Sequence, residues 1–200
     1  MKTARLWKVA AVLGIASFAP AGHPAPARPV EFVREHVTVS VHNDHVFVDG
    51  IYLLRNPDPT DRIQALFYPF PVDPAHPFPD SISVTYRRQP VEFTSTEDGI
   101  AFSLEIPAGK QAGFQVTYRQ TCLDSSACYI LTTTSYWNEP LQSADFAIVV
   151  ADDLVLDWSS YELGEENENG GTYTFGRDDF SPDRDLCLKW HSRSTTDTEP

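Results

Sequence analysis

The stretch Ile100–Val150 decides the fold, and it reads IAFSLEIPAGKQAGFQVTYRQTCLDSSACYILTTTSYWNEPLQSADFAIVV. Apolar side chains alternate with polar or small ones in three of its segments, Ile100–Ile106, Phe114–Tyr118 and Phe146–Val150. A period of two is typical of β-strands that bury one face. Such strands can bury their apolar faces only against a second sheet, so the rest of the chain is expected to supply one.

The sequence on either side repeats this alternation between turn residues. It predicts strands over residues 30–42, 46–54, 63–70, 82–86 and 91–93 upstream, and over 154–158, 173–175 and 186–190 downstream. We find no long helical pattern in the sequence. About ten or more short strands joined by turns predict an all-β fold, a two-sheet antiparallel β-sandwich of the Ig-like or jelly-roll-like kind.

The first residues have the pattern of a secretory signal peptide. Lys2, Arg5 and Lys8 precede an apolar run over residues 9–19 that is too short to span a bilayer, and small residues follow it. We predict a signal peptide over residues 1–21 (cleavage as late as residue 27 is the alternative), a flexible leader over 22–29, one β-sandwich domain over 30–191 and a disordered tail over 192–200. The protein is then exported to a bacterial periplasm or to the extracellular space, without stable membrane insertion after signal cleavage.

The chain is acidic. It has 15 Lys and Arg against 28 Asp and Glu, a formal net charge of −13 at pH 7. Residues 1–21 hold three of the basic residues and no acidic one, so removal of the signal peptide would bring the net charge to −16. Nucleic acid and anionic membrane surfaces repel such a chain, and no nucleic-acid partner is expected.

Three cysteines are present in a chain that is predicted to be exported. Cys122 and Cys128 enclose five residues and flank a hairpin loop, so we predict a disulfide between them. Cys187 would then be free, on the opposite side of its strand from Leu186 and Leu188. Pairing of Cys187 with one of the other two cysteines is the alternative, which the sequence leaves open. A C-x5-C spacing is uncommon in zinc sites, so no such site is predicted here.

Acidic side chains gather just before the last predicted strand. Calcium takes several carboxylate and carbonyl oxygens, so this group is a candidate calcium site, and calcium is the only cofactor that the sequence suggests. Arg177 and Arg184 lie within the same segment and could neutralise the carboxylates directly, so solvated loop charge is the alternative. The four aspartates are Asp178, Asp179, Asp183 and Asp185.

Three aromatic residues are candidates for ligand contact. Tyr136 and Trp137 precede a strand-breaking segment, and Trp158 ends a predicted strand before an acidic loop. Aromatic rings on the face of a sandwich can stack against a sugar or a peptide. More often such residues close the ends of the core, which is the alternative interpretation.

Several motifs together resemble a family of exported bacterial β-sandwich proteins of unknown function. The motifs cover most of the chain that follows the predicted leader. The resemblance implies an exported β-sandwich and carries no assigned activity, so no catalytic residue is transferred from it. The motifs are YPFPVD at 68–73, HPFPD at 76–80, IPAG at 106–109, YILTTTSYW at 129–137 and FSPDRDL at 180–186.

No catalytic constellation stands out in the sequence. There is no Gly-x-Ser-x-Gly elbow, and context marks out no pair of carboxylates. We therefore expect a non-enzymatic module that binds a protein or a cell-envelope component through loops or a sheet edge. The alternatives are a carbohydrate-binding module, with or without calcium, that uses Trp137 or Trp158, and a hydrolase with a carboxylate pair.

Overall fold

The alternating stretches fold as β-strands in the computed structural model, which describes residues 28–137, 139–165 and 171–193. The predicted signal peptide and most of the predicted leader and tail lie outside the described residues. One 3₁₀ helix accompanies the strands, and no helix in the described part of the chain is long and apolar enough to cross a membrane. The elements in chain order are β1 (Glu31–Val41), β2 (His45–Arg55), β3 (Arg62–Pro69), β4 (Ser81–Tyr86), β5 (Gln89–Pro90), β6 (Thr94–Ser95), β7 (Gly99–Ile106), β8 (Gln111–Thr121), β9 (Ser126–Tyr129), the 3₁₀ helix (Thr132–Tyr136), β10 (Leu141–Val150), β11 (Leu154–Ser159), β12 (Gly164–Glu165), β13 (Thr172–Phe180) and β14 (Leu186–Ser192).

The first layer is an eight-stranded sheet with the order β12-β13-β10-β1-β2-β8-β4-β5. Strands β1 and β10 run parallel, and the other neighbours in this sheet run antiparallel. Burial alternates along the central strands, as the period of two predicts, so that one face of the sheet is apolar. Val37, Val48, Val116 and Ile148 are fully or almost fully buried on that face.

The second layer is divided into two small sheets, with the orders β3-β7-β6 and β11-β14-β9. Both cover the apolar face of the large sheet. Phe102 of β7 packs against Phe114 of β8 with ring centroids 5.8 Å apart, and Tyr129 of β9 packs against Phe146 of β10 at 6.2 Å. Strands β3 and β9 are edge strands of their sheets. Tyr68 of β3 and Tyr129 of β9 both contact Tyr52 of β2, so the seam between these two edges lies over β2 of the large sheet.

The all-β class predicted from the sequence is confirmed, with sheets that are mostly antiparallel. Three details differ from the prediction. The second layer is two sheets, because β3 and β9 do not pair. The strand predicted over residues 91–93 falls between the two-residue strands β5 and β6. The last strand continues to Ser192, and the amide of Arg193 donates to the carbonyl of Asp153 at 2.7 Å, so the predicted tail does not begin at residue 192.

The cysteine pairing also differs. Cys128 of β9 is bonded to Cys187 of β14, and Cys122 is a buried free thiol. The predicted Cys122–Cys128 disulfide is therefore wrong, and the reason is sheet register: β9 and β14 are antiparallel neighbours in which Cys128 lies directly opposite Cys187. The two residues are 59 positions apart in sequence, so local spacing could not reveal their contact. Burial raises the pKa of the Cys122 thiol to about 12, which suppresses its reactivity.

Loss of this disulfide should destabilise the fold. A cross-link between residues 59 apart restricts the unfolded chain and should contribute about 4 kcal/mol. We expect urea unfolding of the Cys128→Ala, Cys187→Ala double variant to show a loss of that order, and Cys122→Ala to show a clearly smaller one. Alkylation of the denatured, unreduced protein should label Cys122 alone, and a label on Cys187 would contradict the pairing.

Candidate binding site

A small cavity lies at the seam between the two small sheets. Its volume is about 80 Å³, and it is partly open to solvent. The large sheet forms its floor, β3 forms one wall, and the segment from the end of β9 through the 3₁₀ helix forms the other. Among the described residues that line it, only Glu35 can carry a charge at neutral pH. More than half of the other lining residues are aromatic, among them Phe32, Phe67, Phe102, Phe114 and Trp137.

Glu35 lies on the floor of this cavity because it belongs to the buried face of β1. It lies in step with the buried residues Val37 and Val39, and only 3% of its surface is exposed. In the antiparallel register it stands opposite Tyr52 of β2. The register shifts between Phe32 and Arg34, where β1 has one extra residue. This bulge lets Phe32, three residues before Glu35, line the same cavity, although odd spacing on a regular strand places side chains on opposite faces.

Three tyrosine hydroxyls connect the layers at this point. The Tyr52 hydroxyl lies 2.8 Å from that of Tyr68 on β3 and 3.0 Å from that of Tyr129 on β9. The Tyr129 hydroxyl donates to Oε2 of Glu35 at 3.4 Å. Each hydroxyl has one proton, so Tyr52 must then donate to Tyr129 and accept from Tyr68. The protons of the chain thus point from β3 through β2 and β9 toward the carboxyl group on β1.

The other oxygen of Glu35, Oε1, is buried and accepts no hydrogen bond from the described residues. Burial raises the pKa of Glu35 from 4.5 to about 8, and the hydrogen bond from Tyr129 offsets only part of that effect. Burial also raises the pKa values of Tyr52, Tyr68 and Tyr129, so these hydroxyls keep their protons in the physiological range. Glu35 is therefore the group in this network that titrates near neutral pH.

A glycine makes room for the central tyrosine. Gly50 precedes Tyr52 by two residues on the inner face of β2, and a Cβ atom at Gly50 would lie 1.8 Å from the Tyr52 hydroxyl oxygen. Any side chain at this position would displace that hydroxyl. Gly50 thus positions the hydroxyl that joins the two small sheets.

A wider groove of about 600 Å³ adjoins the cavity. Phe32 and Trp137 line both spaces, and their ring centroids lie 5.7 Å apart. Tyr136, which is 85% exposed, and Ile63 also line the groove. A ligand could therefore place a small group in the cavity and a larger body in the groove.

The aromatic residues that the sequence singled out do not form one surface. Trp137 lies at the junction of cavity and groove, with Tyr136 beside it on the groove side. Trp158 lies on β11, is 48% exposed, and has the ammonium nitrogen of Lys189 6.0 Å from its ring centroid. Trp137 and Tyr136 can contact a ligand together, whereas Trp158 lies on β11, at the far edge of its sheet from β9, and lines no part of either space.

The four aspartates of the candidate calcium site also differ in exposure and in hydrogen bonding. Asp178 and Asp179 lie on β13, and Asp183 lies in the following loop, where all three are exposed. Asp185 is half-buried, and its Oδ1 accepts from the amides of Leu131 and Thr132 at 2.9 and 3.0 Å. Within residues 28–137, 139–165 and 171–193, no group of three or more His, Cys, Asp or Glu side chains could hold a metal ion.

Sequence reasoning missed the residue at the centre of this site. Glu35 lies on the buried face of β1, two residues before Val37, where a carboxyl group is unusual. That signal was available in the sequence. The partners of Glu35 were not, because Tyr129 and Tyr68 come from strands whose pairing is non-local.

Asp185 should stabilise the segment that carries Trp137. Replacing it with Ala leaves the Leu131 and Thr132 amides without their acceptor, so we expect a loss of about 2 kcal/mol and a change in tryptophan fluorescence. Asp183→Ala, which removes an exposed carboxylate three residues from the end of β13, should change neither quantity measurably. A calcium-induced rise in melting temperature that both variants abolish would instead support an ion held by these aspartates.

Glu35 should make the stability of the protein depend on pH. Its folded-state pKa of about 8 exceeds the value of 4.5 expected for the unfolded chain, so the folded protein holds the proton more tightly. The contribution of Glu35 to the free energy of unfolding is favourable at low pH. It declines by roughly 1.4 kcal/mol per pH unit as the pH rises from 4.5 to about 8. We expect urea unfolding to show this decline as a difference between the wild type and Glu35→Gln, in which the other titrating groups cancel. A pH-independent difference would mean that folding does not raise the pKa of Glu35.

Comparison with known proteins finds likeness in fold alone. No family model and no curated protein matches the sequence. A candidate nutrient-binding protein from Legionella pneumophila is similar in structure, with a TM-score of 0.65 at 12% identity over 80% of this chain and 66% of that chain. A variant of a two-domain M1 zinc metallopeptidase bound to L-tryptophan has a TM-score of 0.50 at 11% identity over 81% of this chain and 43% of that chain. The chain thus spans just under two thirds of the first protein and less than half of the second.

Proposed function

We propose that this protein is an exported, non-enzymatic binding module that takes its ligand in the seam cavity. One observation carries the proposal: a buried carboxyl group, Glu35, has an oxygen to which no described residue donates, and it lines a cavity that is partly open to solvent. Buried polar groups in folded proteins are nearly always hydrogen-bonded, and exceptions concentrate at functional sites. A ligand that satisfies this oxygen would explain why the carboxyl group is there.

Export is supported by the N-terminal sequence pattern and by the disulfide between Cys128 and Cys187. Disulfides persist in oxidising compartments such as the bacterial periplasm. The similar fold of a candidate nutrient-binding protein is compatible with a ligand-binding role for this chain as well.

Binding fits the cavity better than hydrolysis does. A carboxylate-pair mechanism needs a second carboxyl group a few ångströms from the first. The described lining of the cavity contains Glu35 and no other acid. In the wider groove Glu31 is held by the guanidinium of Arg55, which leaves Glu139 as its other acidic residue. The arrangement favours recognition of a group by one carboxyl.

The ligand group is proposed to come from a protein or from a component of the cell envelope. Strand β3 is the edge of its small sheet, and Ile63 and Phe67 are 80% and 51% exposed along it. Together with Tyr136 they form an apolar rim around the groove and cavity. An unpaired edge beside an apolar rim is a common docking surface for a partner.

The proposal predicts that filling the cavity abolishes ligand binding. A fragment library screened by saturation-transfer NMR should yield compounds that bind the wild type, and Leu66→Trp, which places a large ring in the cavity wall, should lose them. Leu123→Trp, the same substitution at a loop residue that is 70% exposed, is the matched control and should keep them. Melting temperatures show whether each variant is folded. A library without any binder, or binders retained by folded Leu66→Trp, would refute a site in the seam.

A further inference from the structure

We propose that the seam cavity recognises a primary ammonium group on an unbranched alkyl stem. This inference rests on the proposed function, since it names the chemical class of the ligand for the same site. It goes further in stating the charge, size and hydrogen-bonding capacity of the group that enters.

The expected positive charge of the ligand follows from the residues that line the cavity. Glu35 lies in the cavity without a basic residue among the described side chains that line it. Below about pH 8 the buried Glu35 is mostly protonated, and its ionised form needs a cationic partner, because burial of an unpaired charge is strongly unfavourable. Aromatic faces around the cavity would add cation–π attraction, and the net charge of −13 favours the approach of cations over anions.

The size of the cavity selects among organic cations. A cavity of about 150 Å³ binds benzene with its six carbon atoms, so about 80 Å³ leaves room for roughly three non-hydrogen atoms. An aminomethyl or aminoethyl end fits that space. A trimethylammonium head with its stem has at least five non-hydrogen atoms and is too large.

The hydrogen-bonding groups also match an ammonium. A primary ammonium has three N–H donors and no acceptor. Neither Oε1 of Glu35 nor the Tyr68 hydroxyl, at the start of the donor chain, accepts a hydrogen bond from a described residue. Both residues line the cavity. A neutral hydroxyl would use only part of this acceptor capacity.

The junction of cavity and groove indicates where the stem lies. Phe32 and Trp137 line both spaces with their ring centroids 5.7 Å apart, so an alkyl stem can contact both rings as it leaves the cavity. The body of the ligand then lies in the groove, which is about 600 Å³ in volume. A lysine side chain and a free alkylamine share this chemistry.

Binding should depend on pH in a characteristic direction. The titratable groups that face Glu35 are Tyr52 from β2, Tyr68 from β3 and Tyr129 from β9, and burial raises the pKa of each. The ammonium must therefore displace the Glu35 proton, whose pKa is about 8. Affinity should rise about tenfold per pH unit below that value and level off above it, until the amine itself deprotonates near pH ~10.4. A neutral ligand that accepts a hydrogen bond from protonated Glu35 would show the opposite trend.

The test is calorimetric titration of the purified protein with n-butylamine and with Nα-acetyl-lysine N-methylamide. The controls are n-butanol and n-butyltrimethylammonium, which should bind at least about tenfold more weakly. Tighter binding of the lysine derivative would indicate a protein source, and equal or tighter binding of butylamine a free amine. Glu35→Gln should lose at least about tenfold in amine affinity, whereas Glu105→Gln, at an exposed position of β7, should lose none.

Three outcomes would overturn the inference. These are equal affinity for butanol and butylamine, affinity that falls as the pH rises toward about 8, and full amine affinity in folded Glu35→Gln. If fragments bind in a manner that Leu66→Trp abolishes but no amine binds, the ammonium assignment fails and the proposed function stands. If Leu66→Trp keeps every ligand, amines included, both fail.

Discussion

The hydroxyl of Tyr52 is hydrogen-bonded to one small sheet through Tyr68 and to the other through Tyr129. Its ring also stacks on Phe114 of the large sheet, with centroids 5.0 Å apart. One side chain therefore fixes how the two halves of the second layer sit on the first. Because the small sheets do not pair with each other, their separation is set by contacts of this kind and by packing. The cavity exists because that separation leaves space above the floor.

The buried position of Glu35 at this junction lowers the stability of the fold. A carboxyl group that is held in an apolar interior favours its neutral form, and the protein is less stable whenever it is ionised. An amide or a methyl group would avoid that cost. Natural sequences keep such unfavourable groups mainly at functional or strained sites. The tyrosine chain reduces the cost without removing it, since it supplies one hydrogen bond to a group that has two oxygens.

The sequence predicted the strands well because burial has a period that can be read locally. Val37, Val48 and Ile148 lie on the inner face as their alternation indicates. It could not predict the split of the second layer, the parallel pairing of β1 with β10, or the partner of Cys187. Each of these depends on contacts between segments far apart in the chain. Trp137 was found as a candidate because it is an aromatic residue just before a strand-breaking segment, whereas Glu35 is hidden inside a strand pattern.

The free thiol of Cys122 has a consequence for how the chain matures. In an unfolded chain the probability of contact falls with sequence separation, so Cys122 meets Cys128 far more often than Cys187 does. Oxidation before folding therefore favours a disulfide between Cys122 and Cys128, six positions apart, which the native structure does not contain. Only attack by the third thiol on that link, or reduction by an isomerase, leads to the native pairing. A molecule that forms this link first thus needs thiol–disulfide exchange to reach the native pairing, although Cys122 is unreactive in the folded protein.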